Sequence, residues 1–164
     1  RFSGITYTPC TLELPDTEGL TAGQILTVAD KDESSENSAV LDVIGALNST
    51  ADWTNGNQVL GNPTECAILK SIGQSETYRL RSQYFVLACI PFSSLKKYMV
   101  SHIRNNETQE ESVVIKGAPE VVSRIIGYDA YLPEVSQQQA RGRRAISAAV
   151  LGAGDLEDIQ EKLE

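Results

Sequence analysis

The chain has 164 residues, 41% of them hydrophobic, which is enough for one domain with a packed core and too few for two large ones. Its 14 Lys and Arg stand against 22 Asp and Glu, a net charge of −8, which argues against general nucleic-acid binding because that needs a basic face. No apolar run approaches the roughly 20 residues that span a bilayer, and Arg1-Phe2-Ser3-Gly4 lacks a signal-peptide hydrophobic stretch, so a soluble chain is expected. Three dispersed cysteines, Cys10, Cys66 and Cys89, make neither a disulfide framework nor a zinc site, and a reducing, cytosolic setting is the economical reading. The charge is uneven: residues 1–78 contribute −8, residues 79–144 contribute +4 and residues 145–164 contribute −4. A basic middle in an acidic chain suggests a local anion site, although a solvated charge cluster has the same composition.

In chain order, Arg1 to Tyr7 reads as a strand, and Pro15, Asp16, Gly19 and Gly23 read as loop. The acidic stretch 30–38 reads as an exposed loop leading to a helix cap. Val40, Val43, Ile44 and Leu47 at helical spacing predict a helix over about 38–48, and Asn48 to Asn57 is turn-rich. Asn62 as N-cap, Pro63 at the first position and Glu65 three residues after the cap predict a second helix, in capping-box form, that ends at Gly73. Tyr84 to Phe92 is continuously apolar and reads as a buried strand ending at Pro91. Tyr98–Ile103 and Ser112–Ile115 flank the polar turn at Asn105-Asn106-Glu107-Thr108 and predict a hairpin. A helix follows from Pro119 to Gly127, then a short helix near 134–143, a strand from Ala145 to Leu151 and a charged helix from Asp155 to Leu163. The expected class is α+β, an antiparallel twisted sheet flanked by helices.

Three segments have chemical potential. Gly61-Asn62-Pro63-Thr64-Glu65 is a glycine turn into a capped helix; Glu65 either caps that helix or accepts hydrogen bonds from a neutral donor such as an exocyclic amine, since its charge would repel a phosphate. Pro91-Phe92-Ser93-Ser94-Leu95-Lys96-Lys97-Tyr98-Met99 sets an aromatic ring near an ammonium, which suits a base with a phosphate tail; a core Phe beside a solvated Lys pair is the plain alternative. Ile115-Lys116-Gly117-Ala118-Pro119-Glu120 delivers a lysine at a strand end, followed by a glycine that allows a ring to pack close to the backbone; an ordinary strand-to-helix turn fits too.

Taken in order, these three segments resemble the nucleotide-binding (N) domain of P-type cation-transporting ATPases, with Lys116-Gly117-Ala118-Pro119-Glu120 as the most specific box. Ala140-Arg141-Gly142-Arg143-Arg144-Ala145-Ile146 is similar to the family's Gly-x-Arg-x-Leu segment, with Arg144 and Ile146 at the Arg and Leu positions. The resemblance covers roughly residues 37–151. Ala46-Leu47-Asn48-Ser49-Thr50-Ala51 and Gly61 to Ala67 look most like the calcium-pump group, although cation choice in this family belongs to transmembrane helices.

The resemblance implies that residues 1–164 form a single nucleotide-binding domain, an insert from a larger membrane pump, on the cytosolic side and without direct membrane contact. Phe92 would stack on the adenine of ATP, and Glu65 would face its amino group. Lys116 would line the pocket, Gly117 would allow close approach, Lys97 would touch the base or α-phosphate, and Met99 and Ile146 would add apolar walls. Arg144 would reach the ribose or phosphates. Ser94 stands where many calcium pumps have an arginine, so a phosphate contact is missing or taken over by Lys96. Asn62 replaces the family's frequent Asp. The phosphorylated Asp and the Mg²⁺-binding acids belong to other domains, so no catalytic residue and no metal ligand is expected here. The chain alone should bind ATP and ADP without hydrolysing ATP, with the phosphorylation and actuator domains of the same pump as its partners. Two alternatives stay open: the N domain of a pump for another cation, and a non-enzymatic protein-interaction module. His102 reads as a surface or partly packed residue, Trp53 as a loop anchor and Cys66 as helix packing. Lys116 reads as a pocket-mouth ammonium that contributes little to folding.

Overall fold

Local signals in the sequence specify most of the elements. The computed structural model describes residues 6–13, 27–29 and 36–152. In chain order these are β1 (Thr6–Glu13), β2 (Thr27–Ala29), α1 (Glu36–Leu47), β3 (Asp52–Trp53), β4 (Val59–Leu60), α2 (Pro63–Ile72), α3 (Gln74–Gln83), β5 (Tyr84–Ile90), β6 (Tyr98–Asn105), β7 (Glu111–Gly117), α4 (Pro119–Ile126), α5 (Leu132–Ala140) and β8 (Arg143–Gly152). Six strands form one sheet in the order β2-β1-β8-β7-β6-β5, with every neighbouring pair antiparallel, and β3 and β4 form a separate small hairpin. The expected α+β class is what is found. Residues 1–5 of the expected first strand, the expected loop at Pro15, Asp16, Gly19 and Gly23, most of the acidic loop (30–35) and the helix at 155–163 lie outside the described residues.

Side-chain alternation divides the sheet into two faces. Tyr98, Val100, Val113, Ile115, Ala145, Ala149 and Leu151 point to one face and pack with Val122, Ile125 and Ile126 of α4 and Val135 of α5. Ile103, Val114 and Ala148 point to the other and pack with Ile44 and Leu47 of α1. A satellite core of Ala51, Val59 and Leu69, with Trp53 and Cys66 at its margin, joins the β3–β4 hairpin to α2. Trp53 is the expected anchor, its Nε1 donating to Thr77 Oγ1 at 3.2 Å. The α4 stop is also legible: Gly127 takes φ 69°, a left-handed conformation that glycine adopts without penalty.

Several expectations need correction. β5 has the predicted extent up to Pro91, but it is the sheet's edge, and Phe85, Val86, Leu87, Ala88 and Cys89 are all exposed. An apolar run shows strand propensity, while burial depends on whether other elements cover both faces; here Tyr84 and Ile90 pack against the two cores and the residues between them stay exposed. α3, absent from the sequence reading, forms because Thr77 and Leu80 bury one stripe of an otherwise polar helix. β1 continues past Tyr7 to Glu13 despite Pro9. At Pro9 the strand pairs with β8 alone, since β2 joins it only from Thr11 on. β2 and the β3–β4 hairpin are too short to give a periodic signal.

Candidate functional site

The β6–β7 register sets Met99 opposite Lys116, and the β7–β8 register sets Lys116 opposite Ala148. All three lie on the face covered by α1. Met99 and Lys116 are 2% and 7% exposed. β7 then stops at Gly117, opposite Ser147, while β8 begins four residues earlier at Arg143. Ile146, half-buried, and Arg144, exposed, therefore sit on a ledge that β7 does not cover, on the same face as Ala148. Above this ledge lies the start of α2, where Asn62 Oδ1 accepts from Thr64 N at 2.9 Å, and Arg144 Nη1 approaches Thr64 Oγ1 at 3.4 Å.

Glu65 is not the reciprocal half of a capping box. Its carboxylate turns inward instead, and Oε1 accepts from Lys116 Nζ at 3.0 Å with both side chains 8% exposed. Oε2 accepts from Thr50 N at 3.0 Å and Thr50 Oγ1 at 2.7 Å. Burial by itself pushes the Glu65 carboxyl up. The Lys116 ammonium and the Thr50 hydrogen bonds together outweigh it and hold the group below its ordinary 4.5. Matched to the Lys116 ammonium, the carboxylate does not present the uncompensated charge with which an isolated Glu65 would repel a phosphate. Lys116 is accordingly no pocket-mouth ammonium; it is a buried half of an ion pair.

The β5–β6 loop closes against this site through its backbone. Lys97 N donates to Ser93 O at 2.7 Å, Lys97 adopts φ 60°, and Ala118 N donates to Lys97 O at 2.9 Å. A Cβ on Gly117 would meet the Lys97 carbonyl and would come within 2.8 Å of Tyr98 Cα, so only glycine fits where β7 meets the loop. Phe92, Ser94 and the Lys97 side chain are exposed on that loop, with the Phe92 ring 49% accessible. Lys96 does not face Met99 and Lys116: its ammonium lies 6.0 Å from the centroid of Tyr98, whose ring belongs to the opposite core.

Glu65, Met99, Lys116, Gly117, Arg144 and Ile146 are therefore gathered at one end of the sheet, with the loop carrying Phe92, Ser94 and Lys97 beside them. Sequence reasoning missed Asn48 and Thr50. Both lie in the turn-rich stretch and in the Ala46–Ala51 segment, where nothing local gives them a role, and only contacts with distant segments reveal them. Among the described residues no group of three or more His, Cys, Asp or Glu could hold a metal ion. His102 is half-buried with Nε2 2.8 Å from Glu111 Oε2, and Cys66 packs at the α2 margin with its thiol pushed up mainly by burial.

Comparison with known proteins gives the family. The family described as "P-type ATPase, cytoplasmic domain N" matches residues 37–125. Sodium/potassium-transporting ATPase subunit alpha-4 of Homo sapiens is 33% identical over 99 residues, which is 54% of this chain and 10% of that protein, so the chain spans about a tenth of this relative. No helix among the described residues is long and apolar enough to cross a membrane. With more than half of its length matched, and with the segments around Glu65, Phe92 and Lys116 inside that match, the chain belongs to the P-type ATPase cytoplasmic N-domain family.

Proposed function

We propose that this chain, acting as one nucleotide-binding unit of a larger cytosol-facing pump, binds the adenine nucleotide of ATP at the end of the sheet and holds it for transfer of the γ-phosphate to an aspartate on the phosphorylation domain. The observation that carries the reading is the convergence, at one end of the sheet, of a buried Lys116–Glu65 pair and the Met99 wall on the α1 face, next to a loop bearing an exposed aromatic ring. Phe92 supplies a stacking face for the base, Glu65 an acceptor for its amino group, Ile146 a second apolar wall, and Lys97, Ser94 and Arg144 the polar contacts toward ribose and phosphates. Mg²⁺ accompanies the phosphates and is ligated mainly by acids of other domains. The unit supplies position and specificity, which lower the entropic part of the barrier, while bond breaking belongs to its partner domains.

One stacked base contributes about 1–3 kcal/mol, and a few charge-assisted hydrogen bonds add to that before ordering costs. The expected dissociation constant is on the order of 0.1 to a few mM, which suits a domain that loads ATP and releases ADP in every cycle. Titrating ATP and ADP into the ¹⁵N-labelled chain tests this. Amide shifts should cluster at Glu65, Phe92, Lys97, Lys116 and Gly117, with no phosphate released. A spectrum unmoved at 10-fold the expected constant would instead support a protein-interaction module.

The transported cation has two readings. The segments Ala46–Ala51 and Gly61–Ala67 favour calcium, whereas the human relative is named for sodium and potassium. Phosphoenzyme formation by the whole pump, measured against each cation, decides between them.

A further inference from the structure

α1 ends at Leu47, and Asn48, Ser49 and Thr50 turn the chain toward β3. This turn is clamped from two sides. The Asn48 side chain is fully buried, its Nδ2 donating to Met99 O at 2.9 Å while its Oδ1 accepts from Ser101 Oγ at 2.9 Å. Arg81 of α3 reaches across, with Nε donating to Ala46 O and Nη2 to Ala51 O, each at 2.9 Å, and Nη1 meeting Asp52 Oδ1 at 2.6 Å. The turn so fixed presents two donors of one residue, the N–H and Oγ1 of Thr50, to a single oxygen of Glu65. A glutamate has three side-chain torsions, and one ion pair leaves its carboxylate free to rotate. Two donors on Oε2 and an ammonium on Oε1 fix its plane.

We infer that Thr50 is a positioning residue for base recognition: by holding Oε2 of Glu65 it aims the carboxylate's remaining acceptor capacity at the 6-amino group of adenine and sets it against the 6-oxo group of guanine. The inference rests on the nucleotide reading above. An acceptor held in place rewards a donor and penalises another acceptor at the same position of the ring. Asn48, in the same turn, ties the Met99 backbone to α1, so one short segment fixes both the wall and the acceptor of the site.

The test compares ATP and GTP affinities of the full chain, by amide-shift titration, for wild type, Thr50→Val and Thr50→Ser. Thr50 is solvent-exposed, so these changes leave the core intact; thermal unfolding verifies this, and Thr50→Ala replaces the valine variant if it does not fold. Wild type should prefer ATP. Thr50→Val should reduce the ATP:GTP preference about tenfold, the scale of one misplaced hydrogen bond to a charged group, and Thr50→Ser should keep it. The Glu65 carboxyl, followed by ¹³C shift, should titrate higher in Thr50→Val than in wild type. An unchanged preference in Thr50→Val, or an equal loss in Thr50→Ser, overturns the inference while leaving ATP binding standing. A wild type that binds neither nucleotide overturns the nucleotide reading itself, and this inference with it.

Discussion

Lys116 Nζ and Glu65 Oε1 meet at 3.0 Å between the end of β7 and the first turn of α2, 51 residues apart in sequence and almost wholly out of water. The pair ties the sheet to the helix that frames the candidate site. Removing one partner leaves the other charged, buried and unmatched, whereas replacing both with apolar side chains removes the desolvation penalty along with the attraction. Lys116→Ala should therefore cost about 3–5 kcal/mol in urea unfolding, and Lys116→Met combined with Glu65→Leu should recover most of that. Equal stability of Lys116→Ala and wild type would place the lysine outside the fold's framework.

The same pair sets an acid limit. Glu65 is held below its ordinary 4.5 in the folded state, so it contributes stability that is fully present above about pH 4.5 and is lost as pH falls through the lowered folded-state value. Urea midpoints measured from pH 7 down to 3 should fall less steeply below pH 4.5 in Glu65→Gln than in wild type. Parallel pH profiles would contradict the assigned shift.

Gly117 sits against the carbonyl of Lys97 and the Cα of Tyr98 with no room for a methyl group. Gly117→Ala should displace the β5–β6 loop, destabilise the fold by about 1–3 kcal/mol and weaken ATP binding. Amide spectra should show the change at Lys97, Tyr98 and Ala118 first. Unmoved resonances there would mean the loop yields at no cost.

Phe92 is half exposed and belongs to neither core cluster, so Phe92→Ala should leave the unfolding midpoint nearly unchanged. ATP affinity should nevertheless fall about tenfold, as expected from losing a stacking contact of 1–3 kcal/mol. Binding of ATP and ADP at wild-type strength would remove Phe92 from the site.

Elements set by nearest neighbours could be read directly. Asn62 and Pro63 start α2, Pro119 and Gly127 delimit α4, and the polar turn at Asn105–Glu110 folds β6 onto β7. Elements that depend on distant cover could not. Tyr84–Ile90 is apolar enough for a core strand yet lies at the edge of the sheet, and α3 has two buried residues that gain meaning only against α1 and β3. The site shows the same division. Lys116-Gly117-Ala118-Pro119-Glu120 and Gly61 to Glu65 stand out as motifs, but nothing in either motif indicates that Glu65 turns away from its own helix cap.

The sequence by itself determined which residue types carry the chemistry and the order in which they occur, because caps, turns and strand alternation act over a few residues. The tertiary structure alone decided that Glu65 pairs with Lys116, that Thr50 holds the pair and that Asn48 fixes Met99. Those contacts join segments about 15 to 51 residues apart, and whether a charge is paired or exposed depends on what packing brings beside it.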